Sequence, residues 1–266
     1  MTTPRHHRPW SLLAALASLV VAAVAVAPGA SAEPRREVSL LQMNLCLSGF
    51  AGCFGDTAYP AVLDEAVLRV REHAPDAVSL NEACSGDAER LGEQTGYEVA
   101  FTTVVYGGAP LPCRTPEGRG VFGNAVLTRD AQVRRDEAPF ASQLGSEERR
   151  WLCVTTTRDV TTCTTHLAVA GSPGATANQD AQCRELAEVM AAQGLRRAVL
   201  VAGDVNRRTD CAPVGAWTRT DAAAEQLPGI QHVMGTLSSL APLSTEVVPM
   251  TRTDHDALLV TSRLRG

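Results

Sequence analysis

Eight cysteines, Cys46, Cys53, Cys84, Cys113, Cys153, Cys163, Cys183 and Cys211, all fall downstream of a segment laid out like an export signal. Arg5 and Arg8 give it a positive start, Ser11 to Ala27 is apolar, and Ala30-Ser31-Ala32 has the small-x-small form of a cleavage site. The apolar stretch is at the lower edge of the roughly 20 residues that a bilayer span needs. Cleavage after Ala32 is therefore expected rather than retention as an anchor. An even cysteine count in an exported chain reads as four disulfides, and no C-x-x-C spacing offers a metal site instead. The stretch WLCVTTTRDVTTCTTHL reads as a hairpin turning near Arg158-Asp159, which sets Cys153 opposite Cys163. Proximity along the chain suggests Cys46–Cys53, Cys84–Cys113 and Cys183–Cys211, although spacing alone leaves connectivity open.

Glu33 to Gly266 is long enough for one sizeable core and short for two. No linker, composition shift or repeat divides it, so a single domain is expected, soluble and monomeric, with no stable membrane insertion. Losing Arg5 and Arg8 takes the formal charge of −5 two units further negative, and every fixed cation is arginine because the chain has no lysine. An acidic total argues against generic polyanion binding, which rests on phosphate neutralisation. It leaves open a nucleic-acid substrate held at one local metal site.

Val38 to Leu45 reads as a short strand, and Tyr59 to His73 as a helix with Val62, Ala66, Val67 and Val70 on one face. Ala77 to Leu80 is the next strand, and Asp87 to Gln94 a short helix. Strands then dominate: Tyr97 to Tyr106, Gly123 to Thr128, Gln132 to Phe140, Trp151 to Thr157 and Val160 to Leu167 are rich in Val and Thr and separated by turn residues. Ala175 to Gln193 reads as a helix. Ala198 to Ala202, a looser region around Trp217, Ile230 to Met234 and Ala257 to Thr261 complete the series. Helices among many hairpin-joined strands give an α+β class, with two packed sheets rather than a doubly wound parallel one.

Polar residues gather at the ends of the apolar runs. Asn44 ends the first and Glu82 the second; His166 lies in TTHL, Asp204 and Asn206 in GDVN, and Asp254 and His255 in RTDHDALLV. A strand puts i and i+2 on one face, so Asp204 and Asn206 point together. Taken singly each is more often a turn former or a solvated side chain. Taken in order, strand–Asn, strand–Glu, GNAVL, THL, GDVN and a late DHD before a last apolar strand, the chain resembles the endonuclease/exonuclease/phosphatase superfamily. That superfamily includes deoxyribonuclease I, abasic-site endonucleases, bacterial sphingomyelinases and inositol-polyphosphate 5-phosphatases. The resemblance runs from Val38 to Val260.

The resemblance implies a four-layered α/β-sandwich of two packed, mostly antiparallel sheets with helices outside, and hydrolysis of a phosphoester by water with a divalent cation, usually Mg²⁺. Physical chemistry points the same way. A phosphodiester repels hydroxide, so its hydrolysis needs a cation on a non-bridging oxygen and a positioned water. Carboxylate and amide oxygens suit Mg²⁺, with Mn²⁺ or Ca²⁺ as alternatives. By carry-over, Glu82 is the principal metal ligand with Asn44 and Asp254 beside it. Asp204 orients or deprotonates the attacking water, Asn206 holds the water or a phosphate oxygen, and His166 and His255 donate to phosphate oxygens. Asn124 in FGNAVLTR matches a family position near the site, as substrate contact or support, and Arg119 is a candidate phosphate contact.

One departure stands out. Family members carry an aspartate on the penultimate strand that pairs with the late histidine, and here Gln231 takes its place. A glutamine supplies no charge, which predicts a slower enzyme that Gln231→Asp would speed up, or a secreted binding module that has lost activity. Arg207-Arg208 and Arg149-Arg150 favour a nuclease. Trp151 and Trp217 fit core positions, and Phe50 and Phe54 are expected to face the core, which leaves a sphingomyelinase-like lipid phosphodiesterase or a small-molecule phosphatase as alternatives.

Overall fold

A computed structural model describes residues 1, 2 and 36–265. The chain divides into Met1–Pro34 and a compact unit Arg35–Gly266. The expected export segment lies outside the described residues. In order, the compact unit runs β1 (Glu37–Asn44), α1 (Ala61–His73), β2 (Ala77–Cys84), α2 (Ser85–Thr95), β3 (Glu98–Thr103), β4 (Val105–Tyr106), β5 (Ala109–Pro110), β6 (Phe122–Thr128), β7 (Gln132–Pro139), β8 (Glu147–Glu148), β9 (Arg150–Thr156), β10 (Val160–His166), α3 (Pro173–Gly194), β11 (Ala198–Asp204), β12 (Ala216–Thr220), β13 (Gln231–Thr236), β14 (Leu240–Val248) and β15 (Ala257–Leu264).

Two six-stranded sheets, β14-β15-β1-β2-β6-β3 and β12-β13-β11-β10-β9-β7, form the body, with a small sheet β5-β4-β8 beside them. Each large sheet has one parallel pair, β1/β2 in the first and β10/β11 in the second; all other pairings are antiparallel. The expected sandwich is therefore present. Strand alternation builds its layers. Leu41 and Met43 of β1 and Val78 and Leu80 of β2 face Val62, Ala66 and Val70 of α1 and Leu91 of α2. Leu40 and Leu258 meet Leu200, Ala202 and Val233 between the sheets. Val199, Val201 and Met234 turn outward to Leu186 and Met190 of α3.

Along β1, β2, β10 and β11 the face between the sheets changes character. Leu40 gives way to Gln42 and Asn44, Ala77 to Ser79 and Asn81, Val160 to Thr164 and His166, and Leu200 to Asp204, all buried. The polar end is bridged by hydrogen bonds between sheets: Ser79 to Thr164 at 2.7 Å, Gln42 to Gln231 at 3.3 Å and Asn81 to the Thr165 carbonyl at 2.9 Å.

All four expected disulfides are present. Cys153 and Cys163 are directly opposed in the β9–β10 hairpin, whose turn places Asp159 at a positive φ. Three expectations are corrected. β14 was not anticipated, because Pro242 and the polar run Ser244-Thr245-Glu246 hide it; it lies at a sheet edge, where such residues are tolerated. The strand of Gln231 is consequently not the penultimate one. Phe50 is exposed and Phe54 half-buried, so neither closes the core, whereas Trp217 is buried and the half-buried Trp151 packs against the cluster under α3, as expected.

Cys183–Cys211 ties α3 to the loop after β11 across 28 residues, whereas Cys46–Cys53 spans 7. Loop-closure entropy predicts that replacing the first pair with serines costs about 3.5 kcal/mol and the second about 2.5 kcal/mol. Urea unfolding of both variants measures the difference.

Candidate active site

The site lies at the C-terminal ends of the two parallel pairs, where the polar ends of the facing sheets meet. Glu82 reaches it through a β-bulge. Leu80 pairs with Ala125 and Ala83 with Gly123, so Asn81 and Glu82 together oppose the single residue Asn124. In regular alternation Glu82 would follow Leu80 toward the helices. The bulge, with Glu82 at φ 52°, re-aims it between the sheets. The strand does not end at Leu80, as its apolar residues suggested, but continues through the bulge to Cys84.

Asn44 donates from its amide nitrogen to Glu82 Oε1 and to Asp204 Oδ2, both at 3.1 Å, while its Oδ1 accepts from Cys46 N–H at 3.2 Å. His166 Nε2 lies 3.8 Å from Asp204 Oδ2 and 4.0 Å from Glu82 Oε1. His255 Nε2 lies 3.5 Å from the same Asp204 oxygen and 3.9 Å from Asp254 Oδ1. Asp204 is held from behind: its N–H donates to Asn81 Oδ1 at 2.7 Å, and its Oδ1 accepts from Asn206 N–H at 2.9 Å. The Asn206 side chain donates to the Leu167 carbonyl at 2.9 Å. Thr253 hydroxyl donates to the Asn44 carbonyl at 2.9 Å, fixing the segment that carries Asp254 and His255.

Burial dominates the electrostatics. It raises the Glu82 carboxyl, against the Asn44 hydrogen bond and the charge of Arg149, and it raises Asp204 against the charge of His255. Burial also holds His166 well below the ordinary histidine range, with Arg149 and His255 adding to the effect. Two clustered carboxylates made costly by burial, with Asp254 near them and two histidines alongside, suit a hard divalent cation held through carboxylate oxygens. Glu82 and Asp254 are the oxygen donors that would hold it; Asn44, the third expected ligand, turns its amide nitrogen to this side while its Oδ1 accepts from Cys46 N–H.

Seven of the nine candidate residues, Asn44, Glu82, His166, Asp204, Asn206, Asp254 and His255, assemble here. Asn124 lies beneath: its Oδ1 accepts from Asn81 at 3.0 Å, and its buried Nδ2 has no partner. Arg119 is not at the cluster. It is buried, paired to Asp87 at 2.8 Å, and donates to the carbonyls of Leu47, Pro116 and Arg114, so its donors are occupied within the protein.

Gln231 does not orient His255. It donates to Asp221 at 3.4 Å and to the Asp256 carbonyl and accepts from Gln42, while His255 Nδ1 is buried without a partner. Asp256 accepts from Met250 and Glu225 N–H groups and shapes its loop.

Two residues at the site escaped the motif reading. Asn81 bridges both sheets, and its signal was its place after Ala77 and Ser79 on the inward face. Arg149, expected only as half of a pair favouring a nuclease and not as a site residue, has Nη2 on Glu147 at 2.9 Å and a buried Nη1 with no partner. It borders a cavity of about 270 Å³ with Leu144, Ala168, Val169 and Asn178.

The sequence profile of the Endonuclease/Exonuclease/phosphatase family matches residues 51–255, and the chain belongs to that family, whose members hydrolyse phosphoesters and generally use divalent metals. No curated protein matches it in sequence. Similar solved structures include an endonuclease/exonuclease/phosphatase from Beutenbergia cavernae, 21% identical, covering 87% of this chain and 72% of that one with a TM-score of 0.65. The human Nocturnin catalytic domain with bound sulfate is 14% identical over 86% and 94%, with a TM-score of 0.68. D. rerio TDP2 complexed with single-strand DNA product is 14% identical over 86% and 100%, with a TM-score of 0.62.

Two measurements follow from the electrostatics. A carboxyl whose folded pKa is raised destabilises the fold at pH 7, a cost that shrinks as pH falls through the folded pKa and is gone below the unfolded one. Glu82→Gln should therefore raise the melting temperature of the metal-free protein at pH 7 and remove whatever rise an added divalent cation gives the unsubstituted protein. Gln231→Asp would place a second acid beside buried Asp221, whose carboxyl burial already raises. That single change should lower the melting temperature by about 5 °C or more, and Asp221→Asn in the same chain should recover most of the loss. Calorimetry reads both.

Proposed function

We propose that this chain is an exported phosphodiesterase that acts on nucleic acid with a divalent cation, Mg²⁺ by its donor set. The observation that carries this reading is the convergence of His166 and His255 on Asp204, at 3.8 and 3.5 Å, beside Glu82. A cation held by Glu82 and Asp254, with Asn44 beside them, would neutralise charge on a non-bridging phosphate oxygen. Asp204, its proton affinity raised by burial, takes a proton from the attacking water, with its carboxylate fixed by Asn44 and the Asn206 N–H. His166 is neutral at pH 7 and acts as a hydrogen-bond donor rather than a cation. The unfilled Nη1 of Arg149 supplies the fixed positive charge for a phosphate oxygen.

Four disulfides support export, with cleavage after Ala32 and a single catalytic domain from Glu33 onward. Among the described residues no helix is long and apolar enough to cross a membrane. The structural relative carrying a DNA product supports nucleic acid over lipid, and a monomer is the expected form.

Supercoiled DNA, RNA, sphingomyelin and bis-p-nitrophenyl phosphate, offered with Mg²⁺ and with EDTA, test the reading. Turnover of nucleic acid that EDTA abolishes is expected. His166→Ala and Glu82→Ala should each lower kcat/KM by roughly 10²-fold or more, and Arg149→Ala should lower it with Arg149→Lys in between. Preference for sphingomyelin would move the enzyme to the lipid branch. Mg²⁺ binding with no turnover on any substrate would leave the binding-module reading.

A further inference from the structure

Two cross-linked loops meet at one edge of the site. The chain leaves β1 at Asn44, stays zipped to the end of β2 through Leu45 N–H to the Asn81 carbonyl and Leu47 N–H to the Glu82 carbonyl, and closes with Cys46–Cys53. The second loop follows Cys113, which is bonded to Cys84. Arg114 N–H donates to the Ser48 carbonyl at 3.0 Å, joining the two. Gly49 sits at φ +80°, and a Cβ there would lie 2.6 Å from the Arg114 carbonyl oxygen, so the loops approach as closely as glycine allows. Buried Arg119 donates to carbonyls in both loops, Leu47 at 2.8 Å and Arg114. The edge is rigid by construction.

What this scaffold displays is Phe50. Its N–H is held by Ser48 Oγ at 3.1 Å, its ring is 45% exposed, and the exposed Arg114 guanidinium lies 4.1 Å from the ring centroid. An Asp254 carboxylate oxygen lies within 4.8 Å of both sulfurs of the bridge that closes this loop. The ring is braced and exposed, carries a cation, and belongs to the loop whose disulfide lies beside Asp254.

We propose that Phe50 and Arg114 form a stacking subsite for a nucleobase next to the scissile phosphate. This rests on the nucleic-acid reading given above. Every base has a π-face, so one rigid ring binds without sequence preference, and an adjacent arginine adds cation–π and phosphate attraction. A membrane wedge needs a wider apolar rim. The exposed neighbours of Phe50 are Ala51 and Gly52, and Phe54 is half-buried near the Arg119 guanidinium, 5.4 Å from its centroid.

The test compares a single-stranded oligodeoxynucleotide with an abasic oligonucleotide of the same length and backbone. In EDTA, Phe50→Trp should show fluorescence quenching by the base-bearing strand and far less by the abasic one. With Mg²⁺, the protein should favour the base-bearing strand by about tenfold in KM, within the range for one base–aromatic stack. Phe50→Ala and Phe50→Leu should bring that ratio close to one, while Phe50→Tyr preserves it.

A ratio unchanged by Phe50→Ala, or retained by Phe50→Leu, would overturn the stacking subsite. Anionic vesicle binding that Phe50→Ala removes would overturn it in favour of a lipid contact. Base-dependent quenching without turnover would keep the subsite and sink the phosphodiesterase reading; turnover without base dependence would do the reverse.

Discussion

Asn44 donates from a single amide nitrogen to Glu82 and to Asp204, and those two carboxylates belong to different sheets. Asp204 is buried and Glu82 partly so, and burial raises both, so their juxtaposition costs free energy that the amide offsets only in part. The rest of the site is arranged around this pair. The bulge in β2 exists to deliver Glu82, Asn81 steadies the backbone of Asp204, and the two histidines approach the same Asp204 oxygen from opposite segments.

Much of the fold was legible because its signals are local. Apolar, Val- and Thr-rich runs between turn residues marked the strands, helical spacing of apolar residues marked α1 and α3, and the even cysteine count in sequential pairs matched the four bridges. β14 was hidden because an edge strand has no need of an apolar face. Pro242 and the run Ser244-Thr245-Glu246 therefore looked like loop. Glu82 was recognisable as a site residue by its motif. The means of its delivery was not, since a bulge depends on how β6 pairs and leaves no mark in β2 itself.

The arginines show the same limit more sharply. Arg119 and Arg149 are equivalent in sequence, each a charge near an apolar run. Tertiary context separates them: one spends its donors on Asp87 and three carbonyls, the other keeps Nη1 unfilled beside two acids and a histidine. Gln231 likewise looked like a weakened partner of His255, and instead belongs to a separate network with Asp221 and Gln42. An ionisable or amide side chain announces its type in a sequence, and its partner only in three dimensions.

The face between the sheets is apolar at one end and hydrogen-bonded at the other, and that asymmetry has a mechanical consequence. Apolar contacts between Leu40, Leu200 and Leu258 tolerate small sliding, whereas the Ser79–Thr164 and Asn81–Thr165 bridges are lost once geometry degrades by a fraction of an ångström. Thermal breathing of the sandwich should therefore pivot about its oily end and gape at the other. The gradient of rigidity runs along β10 from Thr161 to Thr164, toward the candidate site. Any ligand that links Glu82 to Asp204 would then act as a clasp on the jaw as well as a participant in the chemistry.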